Sequence, residues 1–146
     1  MDILVAVDFS GISDAVLERA GQVAGAFAAK IWLIHVAEPR PDFVGWDPST
    51  PFMREQVAAL YRQEHRDLHE LANTLRLRGH DCEALLIPGA AAPVILDQAA
   101  RLGAGMIVLG SQGKGAVERF VIGSTSLQVM QRSPVPVLVV PLKRHE

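Results

Sequence analysis

The residues best suited to chemistry lie in the last third of the chain. Gly110-Ser111-Gln112-Gly113-Lys114-Gly115 places three glycines in six positions. Glycine tolerates positive φ and carries no side chain, so such a loop lets backbone N–H groups approach a phosphate closely. Lys114 adds a positive charge there, and Gly123-Ser124-Thr125-Ser126 then offers three hydroxyls where a helix is about to begin. The unpaired N–H groups of a helix start favour an anion. A glycine turn followed by an ordinary Ser/Thr helix cap is the competing reading of the same residues.

Other constellations are weaker. His65 and His69 sit four apart, but Arg66-Asp67-Leu68 lies between them, so the His-Glu-x-x-His pattern of zinc proteases is missing. With Glu64, Arg66, Asp67 and Glu70 beside them, they read as a solvated helix face. Asp8 with Ser10 suggests nucleophilic chemistry, yet no histidine is placed by sequence to activate that serine. His35, inside a strand, reads as packed or hydrogen-bonded. Paired carboxylates are absent, and Asp8 is the one acidic residue expected near the glycine loop. Neither Gly-x(4)-Gly-Lys-[Ser/Thr] nor Gly-x-Gly-x-x-Gly after the first strand occurs.

These residues need a scaffold, and the apolar pattern supplies one. Five short runs, at 3–7, 31–36, 82–87, 106–109 and 137–140, are mostly continuously apolar, as in strands buried on both faces. Between them lie helical patterns. Ser13 reads as an N-cap, followed by Val16, Ala20, Val23, Ala24 and Phe27 at helical spacing. Thr50-Pro51 announces a second helix with the stripe Val57, Leu60, Tyr61, Leu68, Leu71 and Leu75, ending near Gly79. A third covers 93–102 with Val94, Ile95 and Ala99 facing inward, and Gly103 ends it. A fourth starts near Gly123 and stops before Ser133-Pro134. The order βαβαβαβαβ implies an α/β domain with parallel strands and helices on both faces. Ligands of such sheets bind beyond the carboxyl ends of the strands. The tip residues are Asp8-Phe9-Ser10-Gly11, Ala37-Glu38-Pro39, Pro88-Gly89-Ala90 and the loop from Gly110. The irregular stretch 38–51, with four prolines plus Phe43 and Trp46, reads as a long loop able to cover a ligand.

Composition narrows the function classes. At 146 residues the chain is sized for one domain. A net charge of −2, with no basic run interleaved with aromatics, argues against nucleic-acid binding. No apolar stretch approaches the roughly 18 residues of a membrane span. The opening Met1-Asp2-Ile3-Leu4-Val5 enters a strand at once, without a basic leader, so a cytoplasmic location is expected. The single cysteine, Cys82, fits a reducing compartment and reads as a packed small hydrophobe.

The spacing Gly110-x-x-Gly113, nine residues, Gly123-Ser124 resembles the G-x-x-G-x(9)-G-[ST] signature of the universal stress protein family, in its ATP-binding branch. So do the opening Ile3-Leu4-Val5-Ala6-Val7-Asp8, Leu33-Ile34-His35-Val36, the stretch 104–115 and the closing 133–140. These elements occur in the family's order over nearly the whole chain. The resemblance implies a single flavodoxin-like (Rossmann-like) domain over 1–146, with a five-stranded parallel sheet of order 3-2-1-4-5. It implies ATP, with Asp8 beside adenine and ribose and the backbone near Val36 recognising adenine. Gly110, Ser111, Gln112 and Gly113 would hold ribose and phosphates, and Gly123, Ser124, Thr125 and Ser126 would bind phosphates from the helix start. Val7, Phe9, Ser10, Gly89, Leu109, Lys114 and Gly115 complete the expected site, with Mg²⁺ carried by the phosphates near Asp8. Gln112 departs from the family, many ATP-binding members having histidine there; an amide still hydrogen-bonds but cannot become a cation.

The function these residues suggest is an ATP-binding stress-response module whose occupancy changes conformation or partners. A slow ATPase or nucleotidyl-transfer enzyme is the alternative, and the missing base argues against efficient catalysis. A relative without ATP binding is disfavoured by the intact glycine and serine pattern. The segment from Val135 to Val140 should be an apolar sheet edge, which suggests a homodimer paired antiparallel through it. Pro134, Pro136 and Pro141 limit which N–H groups can take part.

Overall fold

Nine elements alternate along the chain: β1 (Asp2–Ala6), α1 (Ser13–Phe27), β2 (Lys30–Ala37), α2 (Pro51–Leu77), β3 (Cys82–Pro88), α3 (Ala91–Leu102), β4 (Ala104–Gly110), α4 (Ser124–Arg132) and β5 (Val137–Val140). The structure, a computed structural model, describes residues 1–10, 13–38, 51–112 and 122–141. All strand pairings are parallel, and the sheet order is β3-β2-β1-β4-β5. Val5 of β1 stands level with Leu33 of β2 and Val108 of β4.

The continuous apolar runs are explained by the two-residue period of a strand with helices on both sides. Ile3, Val5 and Val7 point to one face with Ile31, Leu33 and Val108, where Val16, Leu17, Ala20 and Ala24 of α1 and Leu68, Ala72 and Leu75 of α2 cover them. Leu4, Ile34, Val36, Ile107 and Leu109 point to the other, against Ala92, Ile95 and Ala99 of α3 and Val129 of α4. The core thus lies in two layers, and every crossover returns the chain to the same end of the sheet.

Several local expectations are corrected. Phe27 closes α1 but is 58% exposed. Ala28 takes a left-handed φ of 52° directly after it, and Ala29 N–H donates back to Ala24 C=O, so the helix ends before Phe27 can reach the core. Val57 and Tyr61 on the presumed inner stripe of α2 are exposed. At 27 residues α2 is about 40 Å long, longer than the strands beside it, and three of its four buried residues, Leu68, Ala72 and Leu75, lie in its second half. Helix α3 starts at Ala91, with Pro93 inside the first turn, where no amide hydrogen is needed. Ser13 is the first helical residue of α1 rather than its cap: its hydroxyl has no partner among the described residues, and its amide donates to Ser10 C=O. The loop expected over 38–51 lies, beyond Glu38 and up to residue 50, outside the described residues.

The amino ends of the strands are closed by ordinary side-chain pairs. Trp32 Nε1 donates to Asp2 Oδ2 at 3.0 Å, and Lys30 both meets Glu83 at 3.0 Å and lies 4.1 Å over the Trp32 ring. The hydrogen bond to Glu83 raises the Lys30 ammonium above its ordinary range.

Candidate functional site at the strand tips

All four helices begin at the carboxyl ends of the strands, and the strand order reverses between β1 and β4, which makes that gap the expected binding crevice. The β1 side is held by side chains. Val7 N–H donates to Ile34 C=O at 3.0 Å, extending the pairing one residue past the strand. Asp8 then accepts the Ser10 N–H on Oδ1 at 3.0 Å, a local Asx turn that leaves Phe9 with a φ of 62°. A non-glycine residue at positive φ is uncommon and persists where its surroundings hold it.

The holding group is His35. It is 8% exposed, and its Nδ1 lies 2.8 Å from Val7 C=O. A carbonyl only accepts, so Nδ1 carries the hydrogen. Its Nε2 faces Glu64 Oε2 of α2 at 3.6 Å, and its ring lies 4.3 Å from that of Phe9. One buried ring therefore joins the end of β1, the strained Phe9 and helix α2. Both nitrogens are turned to those partners, and Ser10 Oγ is buried without a hydrogen bond to any described residue, so no nucleophile–base pair forms here among the described residues. Ser13 Oγ is likewise buried and unpartnered. Two buried hydroxyls three residues apart thus have no hydrogen-bond partner among the described residues, although buried polar groups are almost always satisfied.

The β4 side is held mainly by backbone. Ser111 N–H donates to Val140 C=O of β5 at 2.8 Å, and Gly123 N–H donates to Ser111 C=O at 2.7 Å, which brings the start of α4 against the end of β4. Ser126 Oγ donates to Gly110 C=O at 2.6 Å and is 4% exposed. Its single hydrogen is thereby engaged, leaving Ser124 and Thr125 as the hydroxyls at the mouth of α4. The N-cap of α4, Gly123, contributes no side-chain hydrogen bond. Gln112 is 8% exposed.

The β2 and β3 tips form the far wall. Glu38 Oε1 accepts the Ala91 N–H at 3.1 Å, so a side chain 53 residues away caps α3, whose own N-cap Ala90 has none to offer. Gly89 takes a φ of 140° and donates its N–H to Ala37 C=O, and a Cβ on it would meet Val94 Cγ2 at 2.8 Å. Helix α3 is thus already supplied with a carboxylate, whereas α4 has none at its start among the described residues.

The structure brings Val7, Asp8, Phe9 and Ser10 to the end of β1, Val36 and Gly89 to the β2 and β3 tips, Leu109, Gly110, Ser111 and Gln112 to β4, and Gly123, Ser124, Thr125 and Ser126 to the start of α4. Gly113, Lys114 and Gly115 lie outside the described residues. Glu64, read from sequence as part of a solvated helix face, is instead largely buried against His35, and the capping role of Glu38 was not foreseen; both act on residues distant in the chain, and nothing local marks either. Among the described residues no group of three or more His, Cys, Asp or Glu side chains converges as a metal site, and no helix is long and apolar enough to cross a membrane.

Comparison with known proteins agrees with this architecture. The model of the universal stress protein family matches residues 1–141. A universal stress protein of Thermus aquaticus is 37% identical over 139 residues, covering 94% of this chain and 96% of that protein. The universal stress protein UspA from Lactobacillus plantarum superposes with a TM-score of 0.80 at 22% identity, over 96% of this chain and 97% of that one. Two further universal stress protein structures are complexes: one from Archaeoglobus fulgidus with dAMP (TM-score 0.69, 21% identity, 96% and 97% covered) and one with cAMP (TM-score 0.68, 25% identity, 97% and 96% covered). The chain belongs to the universal stress protein family.

Proposed function

We propose that this family member is a cytoplasmic stress-response module that holds ATP, with Mg²⁺ on the phosphates, in the crevice between β1 and β4, and that occupancy alters its conformation or its partners. The observation that carries the reading is the pairing of two features across that crevice. On one side the buried hydroxyls of Ser10 and Ser13 have no partner among the described residues. On the other, the start of α4 has no side-chain cap among the described residues and presents Ser124 and Thr125 beside its amides. A ligand with a polar sugar and an anionic tail suits both. Asp8 is within reach of such a sugar, and Gly110, Gly113 and Gly115 suit close backbone approach to phosphate. The complexes of relatives with dAMP and cAMP support an adenine nucleotide as the ligand class.

Turnover is expected to be slow. Phosphoryl transfer to water needs an oriented attacking water and charge placed for the transition state. Ser10 has no base, and His35 is engaged by Val7 and Glu64. Groups that bind substrate and transition state equally do not raise the rate.

Identification of the small molecule released on denaturing purified protein, followed by calorimetry with Mg-ATP on wild type and Gly113→Asp, tests this reading. The aspartate puts a side chain and a negative charge where phosphate oxygens are expected, so binding should fall by about 100-fold or more, roughly 2.7 kcal/mol, while the fold persists. Equal affinity in the two proteins refutes the assignment. Phosphate release at ~10 s⁻¹ that vanishes in the variant favours the ATPase instead.

Assembly follows from the same sheet. Strand β5 is an edge, and Val137–Val140 presents partly exposed apolar residues there. We propose that the segment from Val135 to Val140 pairs with its copy in a homodimer. A stable monomer in sedimentation at micromolar concentration refutes this.

A further inference from the structure

We propose that His65 and His69 form a two-histidine site for a borderline divalent metal ion, Cu²⁺, Ni²⁺ or Zn²⁺, on α2 and apart from the nucleotide crevice. The argument begins with spacing. Residues four apart on a helix stand one above the other, on successive turns of one face. Here the two Nε2 atoms are 3.2 Å apart, while the ring centroids are 4.3 Å apart. The nitrogens are therefore closer than the rings that carry them, and the imidazoles converge at their Nε2 ends.

That separation suits one ion. Two metal–nitrogen bonds of about 2.0–2.1 Å spanning it enclose an angle of about 100°, between square-planar and tetrahedral. The helix backbone supplies the preorganisation, so little has to move when the ion arrives. Without metal the pair shares one N–H···N contact. On binding, the hydrogen on that Nε2 shifts to the ring's Nδ1 through solvent, and both Nε2 lone pairs meet the ion. A neutral pair therefore releases no net proton.

The neighbouring side chains set the limits of the site. Asp67 accepts from Gln63 at 2.8 Å, and Arg66 donates to Gln63 at 2.7 Å. No third His, Cys, Asp or Glu joins the pair among the described residues, so water fills the remaining positions. A nitrogen pair with open positions follows the order in which Cu²⁺ exceeds Ni²⁺ and Zn²⁺.

The test is titration of the full chain with Cu²⁺, read by calorimetry and by electron paramagnetic resonance, on wild type, His65→Gln, His69→Gln and the double variant. Both positions face solvent enough that the fold is not at risk. Wild type should show two equatorial nitrogens. Each single variant should lose at least about tenfold in affinity, as much as loss of an outer-shell partner costs, and the double should be little worse than either single. Unchanged affinity in the single variants, or a two-nitrogen signature that survives in the double, overturns the site and assigns the copper to other groups.

Discussion

The two sides of the crevice are built from different materials. At the β1 tip, His35, Phe9, Asp8 and Glu64 reach the site from three separate stretches of chain, and the geometry rests on side chains. At the β4 tip, the hydrogen bonds among described residues include two from backbone to backbone, Ser111 to Val140 and Gly123 to Ser111, with the hydroxyl of Ser126 beside them. The first design is sensitive to the loss of a remote side chain. The second should be sensitive to the gain of one if, as proposed, its glycines leave room for a ligand.

His35→Leu should separate the two sides most sharply. It leaves Val7 C=O and Glu64 without the imidazole, and an unsatisfied buried acceptor costs about 1–3 kcal/mol. Urea unfolding should show the midpoint fall with an unchanged slope, and adenine-nucleotide affinity should fall with it. A loss below about 0.5 kcal/mol, within the range of neutral surface changes, would mean that the β1 tip does not depend on this ring.

Ser126→Ala probes the opposite wall. It removes one side-chain bond to Gly110 C=O while the two backbone bonds remain, so about 1 kcal/mol is expected in the same unfolding assay. A larger loss than that of His35→Leu would invert the comparison. Smaller again is Glu38→Ala, which strips the cap from α3; about 0.5–1 kcal/mol is expected. The uncapped α3 start should also lose its preference against anions, readable as a gain in phosphate affinity.

Cys82 provides the smallest effect and a control at the far end of the sheet. Burial pushes its thiol up to about 11. The folded state thus favours the protonated form, so its contribution to stability is complete below about pH 9 and is lost as pH rises towards 11. At pH 8 the thiol should react slowly with a disulfide reagent in wild type and in all three tip variants. Faster reaction in His35→Leu would show that the whole sheet loosens, and not the tip alone.

The residues of the two regions also differ in how far sequence reading could reach them. The signal at the β4 tip is local, since Gly110, Gly113 and Gly123 with Ser124 lie within fifteen residues. The structure sets Gly110 at the end of β4 and Gly123 before α4 at a φ of −62°, which needs no glycine, and Gly113 lies outside the described residues. The five strands were readable for a related reason. A sheet covered on both faces requires uninterrupted apolar runs, and few alternative architectures produce five of them at this spacing. Helix stripes were read too far at Phe27, Val57 and Tyr61, since periodicity says which residues share a face but not where the covering sheet ends.

By itself, then, the amino-acid order determined the alternation of strands and helices, the parallel sheet and the place of the glycine loop, all consequences of local spacing and apolar pattern. Tertiary structure alone decided that His35 bridges Val7 and Glu64, that Glu38 caps a helix 53 residues away, and that His65 and His69 bring their nitrogens to 3.2 Å. The first two depend on strand register and on how α2 and α3 settle against the sheet. The last depends on rotamers, which sequence spacing permits but does not select.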